Sequence, residues 1–88
     1  MRLSQEKRDK IAEQILSHLY HNFPRSFFCA EISRELARDE EFIKALMFDL
    51  KDKGLVMNIK QNPKGIFYSR RIRWRLSSKA QEAYKQRV

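Results

Sequence analysis

The chain has 88 residues, of which 42% are hydrophobic and 34% charged, and a formal charge of +8. That length suits one small domain, residues 1–88, whose three- or four-element core leaves no room for a deep enclosed pocket. The apolar content is too high for a disordered tail and the charge too dense for a membrane protein. No apolar run exceeds four residues (Phe27-Phe28-Cys29-Ala30 and Ala45-Leu46-Met47-Phe48), so no transmembrane span is expected, and Met1-Arg2-Leu3-Ser4 does not open a signal peptide. A lone cysteine cannot close an internal disulfide, which points to a reducing, cytoplasmic setting.

The charge is segregated. Residues 1–53 hold ten Lys/Arg and ten Asp/Glu, whereas residues 54–88 hold nine Lys/Arg against the single acid Glu82, which is the whole of the excess. Solubility needs no such segregation, but a surface that meets a polyanion does.

In chain order, Ser4 can cap a first helix over about 4–21, with Glu6 in its first turn. Ile11, Ile15 and Leu19 recur at i, i+4 and i+8, with Ala12, Leu16 and Phe23 beside them, giving one broad apolar stripe. Pro24 disfavours helix at Phe23 and closes the element. Ser26-Phe27-Phe28 reads as either a stub of strand or a packed loop. Ile32 and Leu36 mark a second helix over about 30–37, broken at Arg38-Asp39. Asp39 then caps a third helix over about 40–53, with Glu40 and Glu41 in its first turn and Gly54 as its stop.

Beyond Gly54 the period changes to two. Leu55, Met57 and Ile59 alternate with Val56, Asn58 and Lys60. After the turn signal Asn62-Pro63-Lys64-Gly65, Ile66, Tyr68, Ile72, Trp74 and Leu76 alternate with Phe67, Ser69, Arg71, Arg73 and Arg75. A β-hairpin over about 55–76 follows. Two registers fit it. A short turn pairs Leu55 with Ile72, and a long tip over 61–70 pairs Leu55 with Leu76. They differ by an even number of residues, so each side chain keeps its face. Ser78-Lys79-Ala80-Gln81 reads as a capping box for a last helix over about 79–87, with Ala80, Ala83 and Tyr84 inward.

The order helix, stub, helix, helix, strand, strand, helix resembles the winged helix-turn-helix superfamily, most closely small MarR- or PadR-like regulators. The resemblance rests on Glu31-Ile32 and Leu36-Ala37 in the second helix, and on Ile43, Leu46, Met47 and Leu50 in the third. It rests also on Gly54-Leu55-Val56 at the corner into the wing, and on Leu76-Ser77 before the last helix. It implies an α+β, mainly α fold with a three-helix core, a β-hairpin wing and a C-terminal helix. It further implies double-stranded DNA as partner, the third helix in the major groove, the wing along the backbone or minor groove, and a homodimer contact through the first and last helices. Winged helices also serve as protein-binding modules.

The residues support the two DNA-facing elements unequally. Ile43, Leu46, Met47 and Leu50 share the core face of the third helix, which leaves Glu41, Ala45, Phe48, Asp49 and Asp52 opposite. Three carboxylates repel phosphate. Phe48 either packs under the wing or the last helix, or anchors a dimer or protein partner. The wing suits a polyanion better. Arg71, Arg73 and Arg75 point outward, roughly 6.6–6.8 Å apart, and an arginine fork matches phosphate. Arg70 falls on the apolar face unless it lies in the tip. The expected phosphate contacts are Lys60, Lys64, Arg70, Arg71, Arg73 and Arg75, with Lys44 and Lys51 secondary.

Other candidates are weaker. His18 and His21 lie three apart without a third ligand, so no metal is expected. Cys29 opens the second helix, where a thiolate would be stabilised, but it reads better as a small buried hydrophobe. Trp74 could stack on a base, although its parity makes it a core anchor first. No triad, cleft or cofactor fingerprint is present, so the reading is a non-enzymatic transcriptional regulator led by its wing. The alternative is an adaptor that captures a protein on the acidic, Phe48-containing face of the third helix.

Overall fold

Ser4 begins the fold: its Oγ accepts from Lys7 N–H at 3.2 Å and starts α1 (Gln5–His21), whose Ile11, Ile15, Leu16 and Leu19 are buried. In the computed structural model, which describes residues 4–59 and 72–87, there follow β1 (Phe27–Phe28), α2 (Cys29–Leu36), α3 (Glu40–Asp52), β2 (Val56–Ile59), β3 (Arg73–Leu76) and α4 (Ser78–Arg87). All four helices lie within one residue of the bounds the sequence predicts. The expected turn at 62–65, the inward Tyr68 and the wing tip lie outside the described residues.

The aromatic stub is a strand. β1 pairs with β3, and β3 with β2, in one antiparallel sheet of order β1-β3-β2. Trp74 (β3) stands opposite Phe27 on one side and Asn58 on the other. Trp74, Leu76 and Phe27 are buried with Ile15, Leu19, Ile32, Ile43 and Met47, so the inner sheet face closes directly on the helices.

The hairpin register corrects both pairings predicted for Leu55. Val56, not Leu55, stands opposite Leu76, and Val56 is the buried residue while Met57 is 38% exposed. The cause lies at the end of α3. Gly54 adopts φ +76°, its N–H donates to Lys51 O at 2.9 Å, and Leu55 N–H donates to Leu50 O at 2.9 Å. These two bonds form a Schellman cap that binds Leu55 to the helix. The strand starts one residue later than alternation suggests, and every β2 side chain therefore changes face.

The last helix also begins differently. Ser77 rather than Ser78 is its cap, with Oγ accepting from Ala80 N–H at 3.1 Å, so the predicted box on Ser78 does not form. Ala80 is buried and Tyr84 half-buried, but Ala83 is exposed. One turn apart, Ala80 and Tyr84 share the face toward α1. Tyr84 stacks on Tyr20 at 5.0 Å and donates to Glu13 Oε2 at 3.2 Å. Ala83 lies off that line.

Candidate nucleic-acid interface

Alternation along β3 puts Trp74 and Leu76 into the core and Arg73 and Arg75 onto the outer sheet face. Arg73 stands opposite Phe28 and Ile59, and Arg75 opposite Met57. Neither arginine stands straight out. The Arg73 guanidinium lies 4.3 Å above the Phe28 ring. That of Arg75 lies 5.7 Å from the Phe23 ring and donates to Leu76 O at 3.3 Å. Both side chains are half-buried. Such a stack keeps the charge while fixing the side chain, which lowers the entropy lost on meeting an anion. The sequence identifies the face but not the aromatic groups that share it, because Phe23 and Phe28 come from outside the hairpin. Lys60, Lys64, Arg70 and Arg71 lie outside the described residues.

The first turn of α3 is capped by Asp39, whose Oδ2 accepts from Phe42 N–H at 3.0 Å. Ile43, Leu46, Met47 and Leu50 are buried. Glu41, Ala45, Phe48, Asp49 and Asp52 are exposed opposite them, as are Lys44 and Lys51 on the border. Two details change the character of this face. Asp49 is bonded by Arg8 of α1, Nη2 to Oδ2 at 2.8 Å, and the same guanidinium lies 5.6 Å from the Phe42 ring. Arg8 is thus a further cation at the α3 border, brought there from α1 by a contact with no signal in the local sequence. Phe48 meets Trp74 edge-on at 5.2 Å yet is still 38% exposed. It rests against the base of the wing and faces solvent as well.

Beside Phe48 is a recess of about 190 Å³, lined by Phe28, Cys29, Ala30, Glu40, Lys44, Phe48, Ile72 and Trp74. Half-burial pushes the Cys29 thiol above the usual cysteine value. Glu40 and Glu41 add to the rise, while a hydrogen bond with Trp74 and the charge of Lys44 oppose it. The histidines serve locally. His18 lies 4.9 Å from the Phe27 ring, and His21 Nδ1 is 2.7 Å from Ser17 O. Among the described residues no three His, Cys, Asp or Glu side chains come together as a metal site, and no helix is long and apolar enough to cross a membrane.

No protein-family model and no curated protein matches the chain by sequence. Solved structures do match it by shape. The Lactococcus lactis ZitR C30AH42A mutant in apo form has a TM-score of 0.71 at 20% identity, covering 93% of this chain and 57% of that one. The S. aureus MepR F27L mutant bound to an oligodeoxyribonucleotide has a TM-score of 0.63 at 21% identity, covering 93% and 65%. NadR in complex with 4-hydroxyphenylacetate has a TM-score of 0.66 at 16% identity, covering 92% and 60%. The chain thus spans about three-fifths of the length of the solved chains it resembles. Among the described residues, four helices and a three-stranded antiparallel sheet in this order form a winged helix-turn-helix fold, which the chain shares with these solved structures.

Proposed function

We propose that this chain is a non-enzymatic double-stranded DNA-binding protein that acts as a transcriptional regulator, with binding led by the basic wing. The observation that carries the reading is the segregation of the entire +8 excess into residues 54–88, the part that supplies β2, β3 and α4. One neighbour in fold, MepR, was solved on an oligodeoxyribonucleotide. Arg73 and Arg75 hold their guanidinium groups on the outer sheet face, and Lys60, Lys64, Arg70 and Arg71 precede them in the sequence. A homodimer through α1 and α4 would double this surface and match paired half-sites.

Titration of a random-sequence duplex across a series of salt concentrations tests the reading. Six phosphate contacts from the wing give a slope of log K against log salt of about −5. A slope near zero, or no binding at low salt, overturns it. A second reading is favoured by the 38% exposure of Phe48: the outer face of α3 captures a protein. In that case the duplex titration is flat, and a protein partner is lost on Phe48→Ala.

A further inference from the structure

We propose that the outward face of α3 reads pyrimidines in the major groove, with Ala45 and Phe48 against thymine methyl groups and Glu41 accepting from the 4-amino group of cytosine. The inference rests on the DNA-binding reading above and deepens it. At about 100° per residue, Glu41, Ala45, Phe48 and Asp52 fall within roughly 60° of arc. From Glu41 to Phe48 the helix advances about 10 Å, or three base-pair steps. All four side chains are exposed. The forks that read purine edges, Arg or Lys for guanine and Asn or Gln for adenine, are missing from these four positions and from Asp49. What remains is a carboxylate, a methyl and a phenyl ring, the groups that suit cytosine N4 and the thymine methyl.

The borders of the face explain how so acidic a helix can approach phosphate. Lys44 and Lys51 are exposed along one edge. Along the other, Arg8 already holds Asp49 at 2.8 Å, which offsets one of the three carboxylates. Lys44 and Lys51 would face one of the two strands that wall the groove, the Arg8–Asp49 pair leaves the other border neutral, and Ala45 and Phe48 form the apolar part of a centre they share with Glu41 and Asp52. Phe48 is held edge-on by Trp74 at 5.2 Å, so the reading ring is positioned before DNA arrives and little rotamer freedom is lost on contact.

The test is selection of preferred duplexes by the full chain from a randomised pool, followed by replacement of each thymine in the winner by uracil, one at a time. At one or two positions loss of the methyl lowers affinity about fourfold, the value of one methyl group leaving water. Phe48→Ala then binds the thymine and uracil duplexes alike at one of these positions, while a position read by Ala45 keeps its preference for thymine. Glu41→Gln, a surface change that leaves the core intact, moves the selected base at one position from cytosine to adenine. Tight binding with equal affinity for thymine and uracil at every position, or selection without any preferred sequence, overturns the inference and leaves the DNA-binding reading in place. Failure to bind any duplex at low salt overturns both.

Discussion

The Ser77 hydroxyl donates to Gly54 O at 2.8 Å, and Ser77 Oγ in turn accepts from Ala80 N–H at 3.1 Å. One side chain thereby caps α4 and ties it to the left-handed residue that ends α3. Ser77 N–H also donates to Leu55 O at 3.0 Å, which closes the corner where the wing joins the helices. Ser77→Ala removes the cap and the link together and costs about 1–2 kcal/mol, read as a lower midpoint in urea with unchanged slope. Ser77→Thr keeps the hydroxyl and retains most of that stability. Equal midpoints for the Ala and Thr variants would show that the hydroxyl contributes nothing.

The same corner shows what the sequence could and could not reveal. The helices were legible because their apolar spacing, Ser4, Asp39 and Gly54 are local signals, and local capping decides them. The strand register was not. Leu55 alternates correctly with Met57 and Ile59, but its N–H is taken by Leu50 O, so the helix cap claims the first residue of the run. The outward parity of Arg73 and Arg75 was legible from alternation alone. Their seats on Phe28 and Phe23 were not, because those rings are brought in by β1 pairing and by the end of α1. Phe48 was ambiguous for the same reason: its partner Trp74 is 26 positions away and meets it only in the folded chain.

The turn between α2 and α3 holds a strained residue. Ala37 has φ 54° and ψ 47°, a left-handed conformation that costs an L-residue roughly 1–2 kcal/mol. Arg38 N–H donates to Ser33 O at 3.0 Å, so the conformation is fixed by the helix end. Ala37→Gly removes the Cβ conflict at some cost in unfolded-chain entropy. The net gain is about 0.5–1 kcal/mol, seen as a higher thermal midpoint. A lower midpoint would mean that the Ala37 methyl contributes packing that outweighs the strain.

Cys29 gives a pH-dependent readout. Its thiol is raised above the usual value, first by burial, so the folded protein holds the proton more tightly than the unfolded chain. The associated stability is fully present below the ordinary cysteine value and is lost as pH rises through the folded one. Since only the thiolate reacts, alkylation of the native protein by iodoacetamide should rise with pH later than alkylation of the urea-unfolded chain. Coincident profiles would contradict the burial argument. Trp74→Phe removes the opposing hydrogen bond and should move the native profile higher still.

The wing itself is tested by Arg71, Arg73 and Arg75 changed together to alanine. If all three meet phosphates, the slope of log K against log salt becomes shallower by almost three, at about 0.9 per contact, and affinity for random duplex falls most steeply at low salt. Arg73 and Arg75 also cover Phe28 and Phe23, so part of any loss could come from packing. A thermal melt of the variant separates the two causes. Lost packing lowers the midpoint at every salt concentration, whereas lost phosphate contacts change the binding slope and leave the midpoint near that of the parent chain. A triple variant with an intact fold and an unchanged salt slope would remove these three arginines from the interface and overturn the wing-led reading, leaving Lys60, Lys64 and Arg70 together with Lys44, Lys51 and Arg8 as the cations to test next.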